Sequence, residues 1–330
     1  MASISLRGRT WRAEVYRKGE RITGSFDTEA EARVWATKTE ARLDAKVTKA
    51  QIRQTPTNVS TAALFDQYAL EVSPGKRGGR WELIRLLALS RHPVFQGIAA
   101  DLDGAALAEW RDERLRSVKA STVNRDLNLV SAVFTRAMKE WRLPLNRNPV
   151  SDLMRPPQPR GRDRLVSEDE RALIVRELCW DGETAPSDLM QWTAWAFCFA
   201  LETGMRQGEI LAIRRQHLHQ TWVHLPLTKN GDSRDVPLST RALALLALLP
   251  DVGDRLVPLS SGTCGAYFRE AARRAGVAGI TFHDSRHAAA TAMAEKLTAL
   301  ELARVLGHRD LRATAGYYNQ KASALAGKLG

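Results

Sequence analysis

Residues Thr10–Tyr16 alternate Trp11, Ala13 and Val15 with Arg12, Glu14 and Tyr16, the period of two that marks a half-buried strand. Lys18-Gly19-Glu20 predicts a turn, and Arg21–Phe26 a returning strand. Asp27 and Thr28 offer N-caps for a helix from about Glu29 to Ala45, with Ala32, Trp35, Ala36 and Thr39 along one side. Beyond a polar, proline-bearing stretch at residues 51–60, the pattern turns helical, over Thr61–Val72, Trp81–Leu89, Asp103–Leu115 and Ser121–Trp141. In the last of these, Val123, Leu127, Val130, Val133, Phe134 and Met138 share a face, and Ser121-Thr122 stands where a cap belongs. A domain of four or five helices follows, with Arg125, Arg136 and Lys139 on its polar surface.

Between Pro144 and Arg164 five prolines alternate with arginines, including Arg155, Arg160, Arg162 and Arg164. Proline extends the chain and denies it a helix, so this is a second boundary. Ser167-Glu168-Asp169-Glu170 then reads as a capping box. A long apolar helix is predicted over Asp188–Leu201, broken by Gly204, with another starting near Gln207. Trp222–Leu227 and Arg234–Leu238 predict a hairpin around Lys229-Asn230-Gly231-Asp232, where Asn-Gly is a strong turn signal. From Arg241 onward the pattern is helical again, ending in a small-residue tail, with no internal repeat.

Charge changes the picture. The 330 residues carry 49 Lys+Arg against 37 Asp+Glu, a formal net charge of +12. An excess of this size points to a polyanionic partner, though many soluble proteins are merely basic. Arg7, Arg9, Arg12, Arg17 and Arg21 decorate the N-terminal strands. They suit a sheet lying in a DNA groove, or equally a solvated charged face. Three scattered cysteines, Cys179, Cys198 and Cys264, argue against a disulfide framework and for a reducing cytosol. No stretch is long and apolar enough for a membrane span or a signal peptide, so no membrane partner is expected.

Three stretches of the last region place polar residues at helix starts and turns. They are Arg206-Gln207-Gly208-Glu209, His283-Asp284-Ser285-Arg286-His287, and Leu306-Gly307-His308 with Tyr317 nine residues on. Singly, each has a plain explanation. His283 and His287 are spaced for one helix face, yet lack the base and third ligand of a zinc site, so no metal is expected. His308 after Gly307 suits a helix C-terminus.

Together they resemble the signature of the tyrosine recombinases, the phage integrases and their relatives. Arg206 with Glu209, His283-x-x-Arg286, Leu-Gly-His308 and Tyr317 follow that family's order and spacing. Thr228–Leu238 resembles its catalytic-lysine hairpin, and Ser121–Leu127 the start of its core-binding domain's last helix. The N-terminal module resembles the arm-type DNA-binding domains of some phage integrases. Ser285 departs from the pattern, standing where an apolar residue is usual.

The resemblance implies a mainly α fold with small β elements. It comprises an N-terminal three-stranded sheet plus helix, a helical core-binding bundle and a mostly α mixed catalytic domain, at residues 1–53, 57–150 and 160–330. It implies a site-specific recombinase that cuts and rejoins DNA through a 3′-phosphotyrosine bond without metal, ATP or other cofactor. A homo-tetramer on paired double-stranded attachment sites, accessory DNA-bending or directionality factors, and a cytoplasmic, nucleoid-associated location come with it.

The residue types suit that chemistry. Charge grows on a phosphodiester's non-bridging oxygens as a nucleophile adds, and Arg206 and Arg286 can each donate paired hydrogen bonds there. His308 adds a donor. By family analogy His283 assists deprotonation of Tyr317, whose phenol has an ordinary pKa near 10. Lys229 is the expected general acid for the leaving 5′ oxygen, and Glu209 orients Arg206, with His287 in support. Arg7, Arg9, Arg12, Arg17, Arg125, Arg160 and Arg162 are the candidate phosphate-holding residues on DNA. Tyr318 is the rival nucleophile. A type IB-like topoisomerase and a non-catalytic DNA-binding regulator on the same fold are the alternative functions.

Overall fold

A computed structural model of the chain describes residues 2–8, 10–17, 20–44, 58–158, 162–226, 233–250 and 253–318. The chain divides into two compact units, Met1–Arg160 and Gly161–Gly330.

In the first unit, strands β1 (Ala2–Arg7), β2 (Thr10–Arg17) and β3 (Glu20–Phe26) form an antiparallel sheet in the order β1-β2-β3. The predicted alternation holds: Ala13 and Val15 are fully buried beneath helix α1 (Glu29–Asp44), which contributes Ala32, Trp35 and Ala36 to this small core. Thr28 caps α1 by accepting from the Glu31 amide at 3.3 Å. Ion pairs Lys38–Asp66 and Asp27–Arg80 tie this module to the helices that follow. The first strand, Ala2–Arg7, lies outside the two strands legible from alternation.

The helical bundle comprises α2 (Thr61–Glu71), α3 (Gly79–Ser90), α4 (Gly104–Leu115) and α5 (Ala120–Lys139). Its core joins Leu64, Phe65, Phe95, Trp110, Val130 and Phe134. One expectation needs correction. Ser121-Thr122 does not cap α5, which already starts at Ala120 with Lys119 as N-cap and no side-chain cap bond. The apolar stripe of α5 drives its placement, so packing sets the start where capping chemistry does not.

The second unit opens with α6 (Glu168–Glu177), begun by the predicted Ser167/Glu170 capping box. Helix α7 (Leu189–Thr203) is its hub, burying Trp195, Phe197 and Phe199. Around it lie α8 (Gln207–Ile210), the hairpin of β4 (Trp222–Leu225) and β5 (Arg234–Pro237), then α9 (Thr240–Ala247) and α10 (Ser261–Arg274). Helices α11 (Asp284–Ala294), α12 (Ala299–Leu306) and α13 (Arg312–Ala315) follow, and the last described residues form a short turn, Gly316–Tyr318. The hairpin turn and the tail after Tyr318 lie outside the described residues. Among the described residues, no helix is long and apolar enough to cross a membrane.

Candidate active site

Two glycine-terminated helices build the site. At the end of α7, Gly204 adopts φ 64°, a left-handed cap that turns the chain so that Arg206 becomes the N-cap of α8. At the end of α12, Gly307 adopts φ 68° and delivers His308. A Cβ at Gly307 would stand 3.0 Å from Arg234 Cδ, so the glycine also admits that side chain. The last carbonyls of a helix lack intrahelical partners. Here guanidiniums supply them: Arg234 Nε donates to Val305 O at 2.9 Å and Arg286 Nη2 to Leu306 O at 2.6 Å. Arg286 Nη1 donates to Gly204 O at 2.6 Å, joining the two turns.

Glu209 is the electrostatic centre of this framework. Its carboxylate accepts from Arg206 Nη1 at 2.8 Å and the Arg206 amide at 2.9 Å, and from Arg234 Nη1 and Nη2 at 3.0 and 2.8 Å. Burial alone raises a carboxyl pKa, but the bonds from Arg234 and Arg206 outweigh it and hold Glu209 down at about 2. Arg286 is 3% exposed. Desolvation, then the charges of Arg206 and Arg234, lower its pKa to about 10, which leaves it charged at neutral pH.

The histidines surround the tyrosine. His308 Nε2 lies 3.2 Å from Arg286 Nη2 and its Nδ1 2.8 Å from Thr314 Oγ1. Desolvation and the cations Arg286, Arg206 and Arg234 push its pKa down to about 4, so the ring is neutral at pH 7. Tyr317 lies with its ring 6.3 Å from that of His308 and its hydroxyl 3.3 Å from His287 Nδ1. Burial raises the Tyr317 pKa against the opposing pull of Arg286 and Arg206. His283 packs edge-on to His287, ring centroids 5.3 Å apart. Both rings are lowered in pKa, first by desolvation and then by neighbouring charge, chiefly His287 and Arg286 for His283 and Arg286 for His287. Arg206, His283, Arg286, His308 and Tyr317 line one cleft of about 520 Å³. Tyr318 donates instead to Leu297 O at 2.6 Å, so its hydroxyl serves the fold.

The remaining expected residues are spread out. Lys229, Arg9 and Arg160, and the side chain of Arg17, lie outside the described residues. Arg7 and Arg12 sit on the sheet face opposite Ala13 and Val15, as the strand register requires. Arg125 is exposed on α5 with its guanidinium 5.0 Å from the Trp81 ring centroid. Arg162 is exposed but committed to an ion pair. It forms a forked pair with the fully buried Asp284, at 2.6 and 2.7 Å, and reaches Gly279 O. Among the described residues no cluster of His, Cys, Asp and Glu is arranged to hold a metal ion.

Sequence reasoning missed Arg234 and Thr314. Arg234 belongs to the hairpin that resembles the family's, but its charge gives no sign that it is buried. Thr314, three residues before Tyr317, carries no pattern at all.

Residues 183–324 match the model of the phage integrase family. A putative integrase/recombinase of Haemophilus influenzae is 34% identical over 321 residues, covering 94% of this chain and 85% of its own. The chain belongs to the phage integrase family. This integrase is also 35% identical over 288 residues to a shufflon-specific DNA recombinase of Escherichia coli, covering 82% of this chain and 72% of that one. Its fold matches lambda integrase in a dimer bound to a COC′ core site, with TM-score 0.66 and 19% identity over 96% of this chain and 94% of that one. It is thus a tyrosine recombinase, mainly α with small antiparallel sheets, and it acts as a site-specific recombinase.

Proposed function

We propose that the cleft binds the scissile phosphate of a DNA duplex and that Tyr317 cuts it. The observation carrying this is the meeting of Arg206, Arg286, His308 and Tyr317 in one cleft, behind which Glu209 and Arg234 hold the frame. The guanidinium nitrogens of Arg206 that Glu209 leaves unused, together with Arg286, meet the charge that grows on the non-bridging oxygens. The Tyr317 oxygen attacks phosphorus, and the bond to the 5′ oxygen breaks. The phenolic proton passes to a neutral histidine, and Lys229 protonates the departing oxygen. The 3′-phosphotyrosine retains the ester bond, so the partner strand's 5′ hydroxyl rejoins the DNA by the reverse reaction with neither metal nor ATP.

Two histidines compete for the phenolic proton. Family analogy favours His283, whereas His287 is the one within hydrogen-bond distance of the hydroxyl in the DNA-free chain. His283→Gln and His287→Gln, compared for cleavage at equal occupancy, decide between them.

The wider reading follows from the same chemistry. Four cleavages imply a homo-tetramer on two paired attachment sites, and the tetramer of lambda integrase bound to a Holliday junction, TM-score 0.64, is similar in fold to this chain. Arg7, Arg9, Arg12, Arg17, Arg125 and Arg160 would hold phosphates in a salt-dependent manner. The three-part division at residues 1–53, 57–150 and 160–330, accessory factors and a nucleoid location belong to this reading too.

A nicked suicide duplex carrying the attachment site tests it. Without magnesium, wild type should form a covalent protein–DNA band and Tyr317→Phe none. A band that persists in Tyr317→Phe refutes the mechanism. A mobility shift with no covalent product indicates a regulator, and relaxation of plasmid lacking the site a topoisomerase. Lys229→Ala should slow cleavage far more than it weakens binding.

A further inference from the structure

The scissile phosphate needs a donor from His308, yet the contacts that the ring makes direct its proton elsewhere. Arginine has donors only, so the 3.2 Å contact between Arg286 Nη2 and His308 Nε2 makes Nε2 an acceptor. The ring is neutral, and its single proton therefore sits on Nδ1, where it donates to Thr314 Oγ1 at 2.8 Å. With the proton on Nδ1, Nε2 has nothing to offer a phosphate oxygen.

Thr314 resolves this. It is fully buried, one helical turn before Tyr317, and among the described residues its hydroxyl makes no hydrogen bond other than that to His308. A hydroxyl both donates and accepts, and it rotates freely between the two. We propose that Thr314 is a positioning residue that permits His308 to exchange tautomers: it accepts from Nδ1 while Arg286 occupies Nε2, and donates to Nδ1 once a phosphate oxygen meets Nε2. One proton leaves Nδ1 for water and one arrives at Nε2 from water, so the ring stays neutral. No other residue type of this shape serves both states. Valine has the volume without the hydroxyl, and serine the hydroxyl without the methyl. This inference rests on the cleft being the phosphate site, but its first test does not require cleavage.

Imidazole nitrogen NMR of the full chain, labelled at histidine, reads the tautomer directly. The DNA-free wild type should show His308 protonated at Nδ1, and saturation with inorganic phosphate should move the proton to Nε2. Thr314→Ser should do the same, while Thr314→Val should show no such exchange. If Thr314→Val fails to fold, Thr314→Ala replaces it. On the suicide duplex, Thr314→Val should cleave 10- to 100-fold more slowly at unchanged affinity, and Thr314→Ser within about threefold of wild type, in line with the loss seen when a group supporting a site residue is removed. A wild-type His308 protonated at Nε2 without DNA overturns the proposal. So does a proton that phosphate fails to move, or a Thr314→Val that cleaves like wild type. Loss in Thr314→Ser with retention in Thr314→Val would assign the residue to packing alone. If wild type shows the tautomer exchange but no covalent complex, the cleavage reading falls and the Thr314 assignment stands.

Discussion

Each unit of this integrase buries one carboxylate between two arginines, and the two clusters serve different ends. In the helical bundle Asp126 is fully buried, with Arg85 Nε at 2.6 Å and Arg114 Nη2 at 3.6 Å. Arg85 turns its fork onto the carboxylate through both Nε and Nη2, so its best-placed donors are spent on the fold. In the second unit Glu209 is held by Arg234 through both terminal nitrogens, while the Arg206 guanidinium gives it only Nη1, beside the Arg206 amide. The outer arginines are equally exposed, at 22% for both Arg85 and Arg206. Exposure therefore does not separate a structural ion pair from a working one. What separates them is their surroundings: Arg206 lines a cleft shared with Arg286, His308 and Tyr317.

Substitutions can break this contrast, in falling order of effect on strand cleavage. Arg206→Ala should reduce the rate of covalent complex formation on the order of 10²- to 10³-fold, the usual loss of one transition-state donor. Its fold should persist, because Arg234 still pairs Glu209. A melting temperature well below wild type would show that Arg206 is as structural as Arg85. Glu209→Gln should cost about 10- to 100-fold in cleavage by freeing Arg206. It should also destabilise by about 3–5 kcal/mol, since it removes the partner of the buried Arg234. Chemical denaturation and the suicide duplex measure the two losses on one preparation. Asp126→Asn should destabilise by a comparable amount for the same reason. Its cleavage rate at saturating protein, below the melting transition, should match wild type; a loss there would couple the bundle's cluster to the reaction.

Acid sharpens the contrast without mutation. Glu209 at about 2 lies below the ordinary 4.5, so its contribution to stability is present above pH 4.5 and is lost as pH falls toward 2. His308, lowered from 6.5 to about 4, acts in the same direction at higher pH. The unfolded chain binds that proton first, so stability falls as pH drops from 6.5 to 4. A pH series of denaturation midpoints should decline through both windows, and His308→Gln should make only the upper one shallower, since His283 and His287, lowered as well, still contribute there. A His308→Gln profile identical to wild type would remove the histidine from this account.

Much of the fold was legible because its signals are local. The alternation of Trp11, Ala13 and Val15, the capping box of Ser167 and Glu170, and the helix-ending Gly204 each depend on neighbours within a few residues, and each stands where the pattern put it. The start of α5 was misread, since Ser121 and Thr122 look like caps but lie inside a helix begun at Ala120. The site was legible only in part. Arg206, Arg286, His308 and Tyr317 carry spacing, whereas Arg234 and Thr314 acquire a role only through contacts made across 25 residues to Glu209 and 6 to His308. The charge of Arg162 suggests a phosphate contact; its pairing with a buried carboxylate 122 residues away carries no signal in the sequence.

By itself, then, the sequence determined the excess of positive charge, the helical periods and the spacing of the candidate reacting groups, because charge, period and spacing are properties of the chain read in order. Only the tertiary structure decided which charges remain available for reaction. A guanidinium is the same donor wherever it occurs, and whether it closes a core or waits in a cleft depends on the carboxylate or carbonyl that folding brings against it.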